Sequence, residues 1–417
     1  MKITPEKVDK IISKSIANIK SNFRTIGNKS GWHQHLGSNK VGNTATAQAI
    51  IILNTQKEDF NDKHKAVELL KNNQFKGGTE DLNGGWGYVS NLSDIPTTES
   101  TAWVLQALFF ETSKGDIVIK DGLNWLINNH IGGDQDIGWG STKNDVSRVY
   151  STCLAIQTLR IFDKTEIKEF NQSINWLKKS QNTDFGWGDQ FGHPSTITHT
   201  SHALITLIDS GVNISSQIIQ KGAEWLIQAF EEDKFWINVD NGGLLEFMDI
   251  VVNEKPHRIS YYHFSTPYAI IALIKSGKIH LPVVFKGINY LVDSNDYGNW
   301  EHPFLRNQRI HPIWAIYDSL YAFKTFKNFT NNWENVKSIS LKGKEVRTIY
   351  TGGENIVSEF FKKYSKNKIV WSLLVLIPIS LVLKQFGGID FIENQPTIVY
   401  IILPFILSII ANLITNE

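Results

Sequence analysis

Apolar and polar positions along this chain alternate in a slow, repeated rhythm. Runs such as TAWVLQAL (101–108), TCLAIQTL (152–159) and TSHALITL (200–207) are apolar on nearly every face, the pattern of a helix buried on all sides. Between them stand GLNWLINNH (122–130), INWLKKSQ (174–181) and AEWLIQAF (223–230), whose lysines, asparagines and acids gather on one side. Such one-sided helices lie outside a core. Each apolar run follows a glycine-rich turn around a tryptophan, GGWG at 84–87 and GWG at 138–140 and 186–188.

Setting the apolar runs in register aligns Thr46, Thr101, Thr152, Thr200, Thr266 and Ile313, with spacings of 55, 51, 48, 66 and 47 residues. The one-sided runs align on Leu69, Trp125, Trp176, Trp225 and Tyr290. The unit is therefore a helix pair of about 50 residues, and a repeat of that length must be read before any single motif. An open stack of such pairs needs polar capping repeats, and none is evident, which favours a closed ring. An amphipathic helix over residues 1–29, with Ile11, Ile12, Ile16 and Ile19 on one stripe, is available to pack on it.

The pattern Trp176-Leu177, Gln181, Gly186-Trp187-Gly188, with a looser copy at Gln74 and Gly84–Gly87, resembles the QW repeat of squalene-hopene and oxidosqualene cyclases and the related repeat of protein prenyltransferase β-subunits. The resemblance covers roughly residues 30 to 325. It implies an all-α fold, an α/α toroid of six inner and six outer helices around a central cavity, here over residues 30–328.

An insertion at 231–262 precedes the fifth copy and contains alternating stretches that could pair as strands; a lid over the toroid mouth and a plain surface excursion are both open. Beyond the repeats, 329–367 reads as a linker with a hairpin at 336–353 and a short basic amphipathic helix. Residues 369–383 and 397–414 are free of charge. Because about 20 mostly apolar residues span a bilayer, the expectation for 368–414 is a C-terminal transmembrane helical hairpin, against a re-entrant hairpin or a packing arm. Lys362, Lys363, Lys366 and Lys368 just before it would put the toroid on the cytoplasmic side of that membrane.

Composition narrows the chemistry. A net charge of +1 over 417 residues offers no electrostatic case for nucleic acid. One cysteine, Cys153, excludes an internal disulfide and an all-cysteine metal site. The first twenty residues mix charge into their apolar positions and do not read as a secretory signal.

In a toroid the starts of the inner helices border the cavity mouth, so the residues around each aligned threonine are the ones to weigh. Class II terpene cyclases protonate an alkene or epoxide with an acid from a DxDD motif followed by Thr-Ala. TTESTA (97–102) aligns on Thr101-Ala102 and puts Glu99 at the middle acid, while Thr97 and Ser100 stand where the flanking acids would be. Glu99 is thus the candidate catalytic acid, set against the plainer role of an acid stabilising a helix N-terminus.

The prenyltransferase zinc site would need an Asp and a Cys where Val149 and Ser151 stand, leaving only His199 in a ligand place. One histidine does not hold catalytic zinc. No DDxxD sequence and no phosphate loop occurs, so no metal or cofactor is expected. Trp103, Tyr150, His199, His202, His263, Phe264, His311 and Trp314 are candidates for the walls of a hydrophobic ligand site, where π faces stabilise cations and bury isoprenoid tails. Arg148 and Arg309 are either an anion site or structural.

Two functions remain open at this point. One is a membrane-anchored terpenoid-cyclase or prenyltransferase-like toroid that acts on or binds an isoprenoid or similar lipid. The other is a non-catalytic sensor, effector or scaffold with a protein partner, whose hairpin tethers to or perturbs the membrane.

Overall fold

The computed structural model describes residues 1–77, 82–88, 95–133, 136–230, 236, 244–252, 255–301 and 309–351. Six inner helices, α2 (Asn43–Thr55), α4 (Thr98–Glu111), α6 (Val149–Ile161), α8 (Ile197–Asp209), α10 (Ser265–Lys275) and α12 (Ile313–Phe329), each pack on the next, and α12 packs on α2. The ring is closed. Outside it run α3 (Lys63–Asn72), α5 (Ile117–Asn128), α7 (Lys168–Lys179), α9 (Gln217–Gln228) and α11 (Pro282–Asp293). The N-terminal helix α1 (Pro5–Ser21) lies against α11, α12 and α2, in the sixth outer position.

The repeat exists because of its tryptophans. Trp32, Trp86, Trp139, Trp187, Trp236 and Trp300 are all essentially fully buried. Each indole N–H donates to a backbone carbonyl of an outer helix, Ile19, Leu70, Leu126, Leu177, Leu226 and Leu291 in turn, at 2.6–3.0 Å. A buried indole N–H left without a partner would be costly, so the bond fixes where each outer helix sits. The other edge of the ring wedges against the following outer helix: an added Cβ would stand 2.7 Å from Trp86 at Gly122, 2.8 Å from Trp187 at Gly222 and 2.7 Å from Trp236 at Gly287. Ser15 of α1, Ala66 of α3 and Ser173 of α7 hold the corresponding register with small side chains.

The aligned threonines serve the same joint. The backbone N–H groups of Trp32, Trp86, Trp139 and Trp187 donate to the hydroxyls of Thr46, Thr101, Thr152 and Thr200 at 2.9–3.0 Å. The turn, the outer helix and the inner helix are thereby locked at one residue. Isoleucine at 313 ends the series, and there the ring closes with the bond that also links earlier neighbours. As Asn43, Thr98 and Val149 N–H donate to the Tyr88, Ser141 and Asp189 carbonyls, so Ile313 N–H donates to the Gln34 carbonyl at 2.8 Å, and Leu36 N–H adds a bond to the His311 carbonyl at 3.0 Å. The last two bonds join the last repeat to the first.

Strands accompany the ring, so the fold is helical without being all-α. Strand β1 (Lys2–Ile3) pairs antiparallel with β8 (Val336–Lys342), and β9 (Glu345–Tyr350) extends that sheet. Two short hairpins, β2 (Arg24–Ile26) with β3 (Lys29–Gly31) and β4 (Ile131–Gly132) with β5 (Ile137–Gly138), sit in loops. The long insertion carries an antiparallel hairpin of β6 (Leu244–Val252) and β7 (Lys255–His263), which runs directly into α10.

The expected transmembrane hairpin and the membrane placement drawn from it are corrected. No helix among the described residues is long and apolar enough to cross a membrane, and residues 352–417, which include the whole of 368–414, lie outside the described set. Charge-free composition says only that a segment avoids water, which packing against protein also achieves. The chain divides into the unit Met1–Thr348, which holds the ring, and a second unit, Ile349–Glu417.

Candidate functional site

The inner helices begin in a ring of polar starts, and the first turn of α4 carries Glu99 into it. Thr97 caps that helix, its hydroxyl accepting from Ser100 N–H at 3.2 Å. One turn into the ring lies a cavity of about 40 Å³ lined by Glu99, Trp103, Tyr150, His263, Tyr268, Trp314 and Asp318, with Gln34, Thr44, Gln48 and Tyr88 at its edges. Glu99 keeps some accessible surface, and this surface faces the cavity. The Tyr150 hydroxyl donates to Glu99 Oε1 at 3.1 Å.

Burial pushes the Glu99 carboxyl up to about 7, against the pull of the Tyr150 hydroxyl and the Trp103 indole, both of which favour the anion. Desolvation penalises the charged form, and here it outweighs two polar neighbours. Around neutrality the group is therefore poised to give up a proton. The flanking acids of a DxDD motif are absent, with Thr97 and Ser100 in their places.

A second carboxyl shares the cavity. Asp318, on α12 one turn beyond Trp314, is buried and receives the Tyr268 hydroxyl at 2.8 Å. Desolvation holds it well above the usual carboxylate range, against the pull of the Tyr268 hydroxyl. Tyr268 in turn packs its ring 4.1 Å from His202, and Tyr150 packs 5.0 Å from His202 and 4.7 Å from His263. These rings form an aromatic wall beside the two acids, with the Tyr150 and Tyr268 hydroxyls bonded to them, and can present π faces to a cation.

Of the residues singled out in the sequence, Glu99, Trp103, Tyr150, His263 and Trp314 meet at this cavity, and His202 supports it from behind. His199 is fully buried one step further out, its Nδ1 2.8 Å from the Thr196 hydroxyl and its Nε2 3.7 Å from Asp189. Phe264 is buried at the start of α10. His311 lies near the seam between first and last repeats, its Nε2 3.3 Å from Asp296. Arg148 is engaged by Asp145, at 2.8 and 3.2 Å, and by Asp189, so its charge is already balanced by carboxylates. Arg309 is exposed in a left-handed backbone conformation, φ 50°.

Sequence reasoning passed over Asp318. The signal was present: among the described inner helices it is the one carboxylate set away from both end turns, and an acid is almost never fully buried unless paired. Among the described residues, no group of three His, Cys, Asp or Glu side chains is placed to hold a metal ion.

Residues 89–248 match the family model described as the squalene-hopene cyclase C-terminal domain. The chain is 27% identical over 218 residues to a squalene-hopene cyclase of Zymomonas mobilis, a match covering 44% of this chain and 31% of that one. It is 24% identical over 293 residues to the squalene-hopene cyclase of Bradyrhizobium diazoefficiens, covering 62% and 43%. The chain thus spans less than half the length of these curated relatives.

In fold it is similar to the type II terpene cyclase MstE from Scytonema, solved with geranylgeranyl dihydroxybenzoate as substrate, with TM-score 0.52 at 13% identity, covering 78% of this chain and 99% of that one. The same cyclase without ligand gives TM-score 0.50 at 14% identity, covering 78% and 98%. In sequence the chain is thus similar to squalene-hopene cyclases over part of its length, and in fold to a type II terpene cyclase.

Proposed function

We propose that the toroid binds an isoprenoid-like hydrophobic ligand and that Glu99 starts its cyclisation by protonation. The observation that carries this reading is the position of Glu99 at the edge of an aromatic cavity, where burial raises its carboxyl to about 7 and so lets it keep a proton near neutrality. In the step envisaged, the π pair of a terminal alkene takes the proton from Glu99. A C–H bond forms, leaving a tertiary carbocation on the ligand and a carboxylate on the protein. Further double bonds of the same ligand then close rings by attacking the cation, and loss of a proton from carbon ends the sequence, so the product is an isomer of the substrate.

Tyr150, Trp103, Tyr268 and Trp314 supply the π faces that a migrating cation needs. Asp318, buried beside the Tyr268 hydroxyl, is pushed toward its neutral form by desolvation. A single toroid is a sufficient frame for such chemistry, since the solved type II cyclase MstE is covered almost end to end by the match. Its geranylgeranyl substrate suggests the class of ligand to try first.

One observation favours a second reading. A cavity of about 40 Å³ holds roughly one water molecule, so a polyprenyl chain enters only if wall side chains such as Trp314 or Trp103 turn aside. If they do not, the toroid is a filled scaffold whose surface meets a protein partner.

The test is mass spectrometry of lipid extracts, and of lipid co-purifying with the protein, from cells expressing wild type, Glu99→Gln or no protein. A cyclised isoprenoid made by wild type and lost with Glu99→Gln is the expected result. An unmodified lipid carried equally by both would reduce the function to binding, and no isoprenoid in any sample would favour the scaffold.

A further inference from the structure

The ring as a repeat does not account for Arg148. The backbone bond from an inner-helix start to a loop of the neighbouring repeat is made by Asn43, Thr98, Val149 and Ile313. The residues just before these are Gly42, Thr97, Arg148 and Pro312, so the other three junctions form without a cation. At this one a guanidinium is buried between two carboxylates. Burying such charges is costly even when they are paired, and the joint itself does not call for them.

What the ion pairs hold lies on either side of Arg148. Its Nε and Nη2 donate to Asp145 at 2.8 and 3.2 Å, and Asp145 Oδ2 also accepts from Ser141 N–H at 2.9 Å. The Ser141 carbonyl in turn accepts from Thr98 N–H at 2.9 Å. Thr98 is the residue before Glu99. On the other side, Arg148 Nη1 donates to the Asp189 carboxylate, while the Asp189 carbonyl accepts from Val149 N–H at 2.7 Å. Val149 is the residue before Tyr150. One guanidinium thus braces the backbone beside both members of the Tyr150–Glu99 hydrogen bond.

A planar fork of donors fixes direction as well as distance. The Tyr150 ring, packed 5.0 Å from His202 and 4.7 Å from His263, has little room to swing and make up for a shift of α6. The charge of Arg148 is engaged by Asp145 and Asp189. The titratable groups that line the cavity with Glu99 are Tyr88, Tyr150, His263, Tyr268 and Asp318, with no lysine or arginine among the described lining residues.

We propose that Arg148 is a positioning residue for the candidate acid: by holding Asp145 and Asp189 it keeps the starts of α4 and α6 at the separation at which the Tyr150 hydroxyl reaches Glu99. This role rests on the protonation reading above, and its test reads ionisation rather than turnover.

Infrared titration of the full chain follows the protonated-carboxyl band that Glu99→Gln abolishes. In wild type the midpoint is expected at about 7, and the Tyr150 hydroxyl favours the anion. Tyr150→Phe and Arg148→Gln should therefore each raise the midpoint by about one unit, the weight of one hydrogen bond to a charged group. The double variant should go no further than Tyr150→Phe alone. Two carboxylates released from Arg148 would also raise the midpoint by their field, but that shift would add to the one from Tyr150→Phe. Asp189→Asn separates the causes a second way: losing a negative charge lowers the midpoint, whereas loosening the brace raises it, and a rise is expected. Gly222→Ala, which strains α9 against Trp187 and leaves the brace intact, should not move it.

Additive shifts in the double variant would overturn the proposal. So would an unmoved midpoint in Arg148→Gln, a fall in Asp189→Asn, or an equal rise in Gly222→Ala. A wild-type midpoint near the ordinary 4.5 would remove the acid and its brace together. Midpoints that move as expected in a protein that makes no cyclised product would leave the brace standing and remove only the cyclisation.

Discussion

Replacing Glu99 with glutamine asks whether the fold holds that carboxyl neutral. A carboxyl with an ordinary value of 4.5 and a folded value of about 7 is displaced by about 2.5 units, and at 1.36 kcal/mol per unit that is about 3 kcal/mol. Below pH 4.5 both folded and unfolded states keep the proton, so the carboxyl costs nothing. Between 4.5 and 7 the unfolded chain ionises while the fold retains its proton, and stability falls as pH rises. Above 7 the whole cost is present and constant.

Glutamine has the same shape, does not titrate, and can still accept the Tyr150 hydroxyl. The stability of Glu99→Gln relative to wild type should therefore grow by about 3 kcal/mol between pH 4.5 and pH 8. Urea unfolding followed by tryptophan fluorescence at a series of pH values measures it, and taking the difference between variants cancels every other titrating group. A difference that stays flat with pH would mean a solvated, ordinary carboxylate, and the proton-donor role would go with it. Any cyclisation by wild type should fade as pH rises through about 7, because the acid is then spent before substrate arrives.

The joint between turn and helices is testable by stability alone. Thr152→Val leaves the buried Trp139 N–H without its acceptor and should cost about 1–3 kcal/mol in urea unfolding, whereas Thr266→Val should cost less, since the buried Thr266 hydroxyl has no hydrogen-bond partner among the described residues. Gly122→Ala forces a methyl to within 2.7 Å of Trp86 and 2.9 Å of Leu105, and should destabilise by about 1–3 kcal/mol. A neutral result there would mean that α5 can move away from the Trp86 ring.

The ring could be read from the residues because each repeat states it twice, once in the all-apolar helix and once in the tryptophan turn. Glu99 stood out because Thr101-Ala102 anchors it in register. Asp318 did not: IWAIYDSL is apolar on most faces, and such a helix does not reveal which face turns toward the axis. Nor could the pattern show that the cavity around Glu99 is as small as about 40 Å³, since side-chain volume rather than periodicity decides this. The membrane hairpin illustrates the opposite error, in which a run free of charge was taken as evidence for the solvent it would meet.

The seam between the first and last repeats constrains how the protein is made. The bonds from Gln34 and Leu36 to Ile313 and His311, and the pairing of Ile3 with Ile339, connect residues some three hundred positions apart. During synthesis the earlier helices wait with their inward faces uncovered until the last repeat has left the ribosome. Closure is then a late, long-range event, slow by the entropy of bringing such distant segments together. A half-built ring is a sticky arc, so yield in expression should depend more on chaperone supply and temperature than on the stability of the finished molecule.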